Sequence, residues 1–191
     1  MSADRLHRFR EKRDFSKTPE PRGRGRRGRG SGEPRFVIQK HAASSLHYDF
    51  RLEADGVLKS WAVPKGPSLD PREKRLAMPT EDHPLAYGDF EGVIPEGQYG
   101  AGEVIVWDTG TYRVLGDEPA GEALENGHLS FWLEGEKLRG GYALTRMGRG
   151  GRERWLLVKR DDEGADRRRN PVSTQPASVR SGKTIEQLAR R

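Results

Sequence analysis

The chain has 191 residues, of which 32% are hydrophobic and 34% charged, with 24 glycines and no cysteine. That length holds one ordinary domain with tails or two small ones, the polarity places part of it outside any core, and the lack of cysteine excludes a disulfide-stapled scaffold, a zinc ribbon and a thiol nucleophile. The net charge of +6 is uneven: residues 1–35 carry twelve Lys/Arg against five Asp/Glu, and residues 36–191 carry twenty-three against twenty-four.

The basicity therefore belongs to the front end, as in an electrostatic arm for a polyanion attached to a near-neutral body. No apolar run approaches the roughly 18–20 residues of a membrane span, and no signal-peptide core opens the chain. A soluble, cytoplasmic protein is expected.

Residues 3–13 have helix-forming composition with little apolar face, so a helix there is short and needs docking. Arg13 to Pro21, RDFSKTPEP, is extended by its two prolines; its composition reads as a solvated linker, although its aromatic and charged residues could fold over a site. Residues 22–32, RGRGRRGRGSG, are of low complexity and expected to be mobile, either a phosphate-backbone contact or a solubilising linker. Residues 1–33 thus form an N-terminal arm, 34–162 the folded body, and 163–191 a linker-like tail with a short helix at TIEQLARR.

Within the body, the predicted strands are 36–40, 47–52, 57–63, 74–79, 103–107, a continuation after the turn Asp108–Gly110 to Leu115, 128–135, 138–147 and 153–160. Ala54-Asp55-Gly56 signals a hairpin. Residues 80–92, TEDHPLAYGDFEG, read as a loop too polar for core, and PEGQYGAG (95–102) as a simple hairpin turn, since it lacks the phosphate-loop pattern and precedes a strand. About eight short strands at hairpin spacing imply an all-β fold, a small antiparallel barrel with a groove and short terminal helices.

The stretch from Leu46 to Glu53 alternates strictly. Leu46, Tyr48, Phe50 and Leu52 lie on one face, and His47, Asp49 and Arg51 on the other, about 6–7 Å apart. His41, His47 and Asp49 form a mixed nitrogen and oxygen set that suits manganese, iron or zinc and leaves positions open. Arg51 offers a fork matched to phosphate oxygens. His83 and Tyr87 sit in a polar stretch where a histidine can bind a phosphate or act as general acid, with Glu81 as its orienting partner. Lys65 and Arg75 add positive charge near these elements. The same two-histidine, one-carboxylate pattern also occurs in non-haem iron oxygenases, and a non-catalytic nucleic-acid module with a basic arm is a further alternative.

The stretches FVIQKHAASSLHYDFRLEADGVLKSWAVPKGPS and EDHPLAYGDFEGVIPEGQYGAGEVIVWDTGTY resemble the 3′-phosphoesterase domain of bacterial DNA ligase D, over roughly residues 34–160 and forward to RDFSKTPEP. The resemblance implies a small β-barrel with a crescent-shaped groove and a manganese-dependent enzyme of bacterial end joining. Such an enzyme removes a 3′-terminal ribonucleotide and then the 3′-phosphate from DNA or RNA-tipped DNA ends. It implies His41, His47 and Asp49 as metal ligands and Arg51, His83 and Tyr87 at the phosphate, with Glu81, Lys65, Arg75 and Gln39 around them. It also assigns Arg13, Asp14 and Glu20 to a functional front segment. The implied setting is the cytoplasm of a bacterium or archaeon, near the nucleoid, with a monomer beside ligase and polymerase domains or other end-joining factors.

Overall fold

Alternation of apolar and polar residues gives each strand of this chain two usable faces, and the fold uses both. In the computed structural model, which describes residues 4–23, 32–148 and 153–190, all strand pairing is antiparallel. The strands are β1 (Arg35–Ala42), β2 (Leu46–Ala54), β3 (Val57–Val63), β4 (Lys74–His83), β5 (Gly92–Ile94), β6 (Gly102–Val114), β7 (His128–Gly135), β8 (Arg139–Met147) and β9 (Arg154–Lys159). They run in the order β1-β2-β3-β4-β9-β8-β7-β6, and β6 pairs back onto β1 to close an eight-stranded barrel, with the short β5 added beside the start of β6. The all-β barrel expected from the strand spacing is the one that forms. Most of the Arg/Gly tract, residues 24–31, lies outside the described residues.

The barrel interior is filled by Phe36 and Ile38 of β1, Tyr48, Phe50 and Leu52 of β2, Trp61 of β3, Phe131 of β7, Tyr142 of β8 and Trp155 of β9. A second apolar cluster lies on the outer wall. Val37, Leu58, Val104 and Val106 point outward there and are covered by Phe9, Tyr87, Phe90 and Ile94. Phe9 belongs to the five-residue helix α1 (His7–Glu11). So short a helix holds only by docking, and Phe9 is fully buried. Among the described residues no helix is long and apolar enough to cross a membrane.

Three local features set the register. The hairpin between β2 and β3 turns on Asp55 and Gly56, both at positive φ (55° and 78°), as a two-residue turn matched to strand twist requires. In β4, Thr80 faces Ser60 but His83 faces Leu58. Three steps of β4 thus oppose two of β3, and the extra residue re-aims the strand end. In β6, Ile38 faces Asp108 and Gln39 faces Val106, leaving Trp107 as the extra residue.

Three sequence expectations change. TEDH is the end of β4, followed by a 3-10 turn at Leu85–Asp89; its polar side chains serve an outer wall, where core hydrophobicity is not needed. Asp108–Gly110 is no turn, because β6 runs through it. The fully buried Asp108 carboxylate accepts the backbone N–H groups of Thr109, Glu136, Lys137 and Leu138 at 2.9–3.1 Å. A short helix, α2 (Ala120–Glu125), joins β6 to β7.

The tail also docks. Past α3 (Pro171–Thr174), the Gln175 carbonyl accepts Trp107 Nε1 and Lys137 Nζ, each at 2.8 Å, and Val179 N–H donates to Val106 O at 3.0 Å. Composition gave no sign of this, because backbone carbonyls make the contacts. The last helix, α4 (Ile185–Ala189), starts at a Thr184/Gln187 capping box.

Burial pushes the Asp108 carboxyl up, against the four N–H donors that favour its charge. Removing the acceptor strands those donors in a dry interior. Asp108→Ala should therefore cost about 3 kcal/mol, seen as a lower urea midpoint at unchanged slope.

Candidate active site

The row His47, Asp49, Arg51 stands on the outer wall of the barrel, back to back with Tyr48, Phe50 and Leu52 in its interior. Pairing of β1 with β2 places His41 opposite His47 and Gln39 opposite Asp49. The metal-capable atoms of His41, His47 and Asp49 all lie within 4.8 Å of one another. Asp49 Oδ2 is 3.4 Å from His41 Nδ1 and 3.2 Å from His47 Nε2.

The outer nitrogens of both rings are held by carbonyls, which only accept. His41 Nε2 donates to Gly100 O at 2.6 Å and His47 Nδ1 to Ser45 O at 3.1 Å. Each ring therefore turns its lone-pair nitrogen toward the same carboxylate oxygen. Two lone pairs and an anion converging on one point are stable only around a positive centre, so the donor set fits a divalent metal. Burial opposes the charge on Asp49, which is 6% exposed, but Arg51, joined by any proton the imidazoles turn toward it, holds its carboxyl far below the usual range. Burial likewise opposes protonation of His47, and Asp49 outweighs it and raises the imidazole above its ordinary value.

Arg51 is buried and held on three sides. Nε donates to Gln39 Oε1 at 2.7 Å, Nη1 to Ser60 Oγ at 2.9 Å, and Nη2 lies 3.6 Å from Asp49 Oδ2. Gln39 is itself fixed by Tyr87 O and Phe90 O, at 2.8 and 3.1 Å. The bulge in β4 brings His83 onto this face, its Nδ1 donating to Glu81 O at 2.8 Å and lying 3.5 Å from Ser60 Oγ.

The segment that composition favoured as a linker folds over this wall. Arg13 Nε donates to Glu20 at 2.9 Å, its Nη1 to Glu81 at 3.2 Å, and its Nη2 approaches His83 Nε2 at 3.4 Å. Glu20 also accepts Tyr87 OH at 2.6 Å and Thr18 Oγ1 at 2.9 Å. Burial, then Arg51 and Arg13, push the His83 imidazole well below its ordinary value. It is therefore neutral at pH 7, with the Nε2 lone pair facing Arg13. In the free protein the ring accepts at Nε2 and holds no proton there. Burial, then Glu20, push the Tyr87 phenol well up, and its hydroxyl serves Glu20.

Three residues stand apart from this network. Asp14 is exposed and bonded to Ser16 in its own turn. Arg75 lies on the parity of Ala77, toward the barrel interior, and pairs with Glu73 at 3.1 Å. Lys65 is exposed in the turn two residues past Val63, the partner of Tyr48. Conversely, Ser60, Phe9, Gly100 and Lys12 take part without having been singled out. The run Lys12-Arg13 beside RDFSKTPEP was the available signal for Lys12, and none marked a serine on an ordinary strand or a carbonyl in a glycine turn.

An antiparallel barrel that presents two imidazoles and a carboxylate beside two buried guanidinium groups has the parts for metal-assisted chemistry on an anionic ester. Residues 39–146 match the family described as the DNA ligase D 3′-phosphoesterase domain, and this chain belongs to it. It is 55% identical over 187 residues to the multifunctional non-homologous end joining protein LigD of Pseudomonas aeruginosa, covering 96% of this chain and 22% of that protein. It is 51% identical over 157 residues to the multifunctional non-homologous end joining DNA repair protein LigD of Mycobacterium tuberculosis, 81% of this chain and 19% of that one. The chain thus spans about a fifth of the length of these relatives.

Two outcomes follow from this geometry. Gly100 sits at φ 74°, and a Cβ there would meet His41 Cε1 at 3.3 Å. Gly100→Ala should displace the carbonyl that orients His41 and weaken the binding of a divalent metal ion about tenfold by calorimetry. For His83, the unfolded chain takes up a proton near pH 6.5 that the folded protein resists, so its contribution to stability is lost as pH falls below about 6.5. His47 shifts the opposite way, so the comparison isolates His83. The drop in Tm between pH 7.5 and 5 should be smaller in His83→Gln than in the unaltered protein.

Proposed function

We propose that this domain is a manganese-dependent phosphoesterase that heals 3′ ends, removing a terminal ribonucleotide and then the 3′-phosphate to leave a ligatable 3′-hydroxyl on DNA or RNA-tipped DNA. The observation that carries the reading is the convergence of His41, His47 and Asp49 within 4.8 Å, next to Arg51 and across from Arg13 and His83. Bound there, manganese would supply Lewis acidity toward the phosphoryl group.

The protein's own residues do the rest. Arg51, fixed by Gln39 and Ser60, offers its remaining N–H groups to phosphoryl oxygens without having to reorganise. Arg13 closes the opposite side, aligned by Glu20 and Glu81, with Tyr87 and Thr18 holding Glu20 in turn. Neutral His83 lies between the two guanidinium groups and can take a proton at Nε2 or accept a hydrogen bond from the ester's hydroxyl. Two planar guanidinium forks facing the donor set, Arg51 and Arg13, suit phosphoryl oxygens better than the organic cosubstrate of an oxygenase. Lys65 lies near the His47 end of the row, where it would meet the nucleic-acid backbone. The proposed setting is the bacterial cytoplasm at the nucleoid, with ligase and polymerase domains as partners; the names of the relatives speak of multifunctional non-homologous end joining proteins.

A primer-template ending in a 3′-ribonucleotide, incubated with and without manganese, tests the reading. Conversion to a 3′-phosphate and then a 3′-hydroxyl, only with metal, is the expected outcome, and unprocessed ends with every metal refute it. His47→Ala should lose turnover and manganese retention together in a folded protein. Arg51→Ala should lower kcat about a hundredfold or more while manganese affinity changes less than tenfold.

A further inference from the structure

Four large hydrophobic side chains remain exposed among the described residues, Leu46, Leu76, Tyr99 and Met147. Tyr99 is the one aromatic among them, 47% exposed, and it stands on the rim of the site. We propose that Tyr99 is the stacking platform for the nucleobase of the 3′-terminal nucleotide, an inference that rests on the phosphoesterase reading.

The loop that carries the ring is built to hold it still. Gln98 N–H closes a turn on Pro95 O, and Ala101 N–H closes the next on Gln98 O, each at 3.1 Å. The following residue, Gly100, is tied through its carbonyl to His41. On its other side the ring meets the N-terminal segment: Lys12 Nζ lies 3.4 Å from the hydroxyl and 4.9 Å from the ring centroid, and Arg13 Cζ lies 5.2 Å from the centroid. Lys12 is in turn paired with Glu81 at 3.1 Å.

Tyr99 thus bridges the metal cluster and the cations that face the phosphate. The chemistry of the substrate fits this position. A 3′-terminal nucleotide whose phosphoryl group sits between Arg51 and Arg13 carries its base one sugar away, toward the rim. A tyrosine ring offers area and rigidity at little entropic cost. Stacking also accepts any base, because every base has a π face, and an end-healing enzyme must accept whatever base stands at the break. Hydrogen-bond readout would restrict it.

Two measurements test the proposal. The first needs no turnover. An oligonucleotide with 2-aminopurine at its 3′-terminal nucleotide should lose fluorescence on binding the unaltered protein. Tyr99→Ala should bind with that quenching lost, and Tyr99→Phe should restore it. Quenching that persists in Tyr99→Ala, or is absent from the unaltered protein, overturns the proposal.

The second compares primer-templates ending in an ordinary or an abasic 3′-ribonucleotide. The base-bearing end should show a KM lower by about tenfold. That ratio should fall to near one in Tyr99→Ala and return in Tyr99→Phe, with manganese affinity reporting that the loop still orients His41. An equal loss on both ends shows a merely structural role and overturns the proposal. Should neither end be processed by the unaltered protein, the phosphoesterase reading fails, and the quenching result still decides the role of Tyr99.

Discussion

A carboxylate shut away from water must find compensating charge nearby, and Asp49 imposes that requirement on the whole outer wall. Its compensation comes from Arg51, which is 3% exposed and so needs fixing itself, and from the positive centre that the two imidazoles share with it. Arg51 draws in Gln39 and Ser60, and Gln39 draws in the carbonyls of Tyr87 and Phe90. Each buried polar group thus recruits the next, from the strand outward to the 3-10 turn. A parallel chain runs from His83 through Arg13 to Glu20 and on to Tyr87 and Thr18. A network satisfied this fully is rigid, because displacing any member leaves another without a partner.

Such a network needs a dry enclosure, and the barrel alone does not supply one. The wall of β1, β3 and β6 therefore carries an outward apolar patch, which Phe9, Tyr87, Phe90 and Ile94 cover. Fold and site share the same strands, with alternate residues serving the interior and the enclosure. The stability of the barrel and the geometry of the ligands are thereby coupled through single strands, above all β2.

Strict alternation from Leu46 to Glu53 made the barrel wall and the ligand row legible in the sequence, because period-two spacing sorts faces without reference to tertiary structure. Asp55-Gly56 made the hairpin legible by its need for positive φ. Two bulges were illegible: one extra residue in β4 or β6 has no composition of its own, yet it brings the His83 ring within 3.5 Å of Ser60 Oγ and turns Asp108 into the interior. Polarity misled twice. TEDH reads as loop because polar residues usually face water, whereas here Glu81 and His83 face the Arg13 guanidinium and Asp82 pairs with Lys59. The segment from Arg13 to Pro21 reads as linker because the groups it buries, Arg13, Thr18 and Glu20, are polar, and Arg13 and Glu20 meet partners distant in the chain. Its place was indicated only through resemblance to a known family, as was Asp14; Lys65 and Arg75 were read from their charge, and the fold draws none of these three into the network.

The docking of the front segment bears on where this domain begins. The stretch matched by the family starts at residue 39, past Phe9, Arg13, Thr18 and Glu20, and the barrel itself starts at Arg35. A boundary drawn around the strands would keep the closed barrel with His41, His47 and Asp49 on it and lose one of the two guanidinium groups beside them. Such a fragment would keep its closed sheet but bare the apolar patch under Phe9 and strand Glu81 and Tyr87 without Arg13 and Glu20. The functional unit is therefore defined by the residues that enclose the outer wall, and the closed sheet marks only its interior.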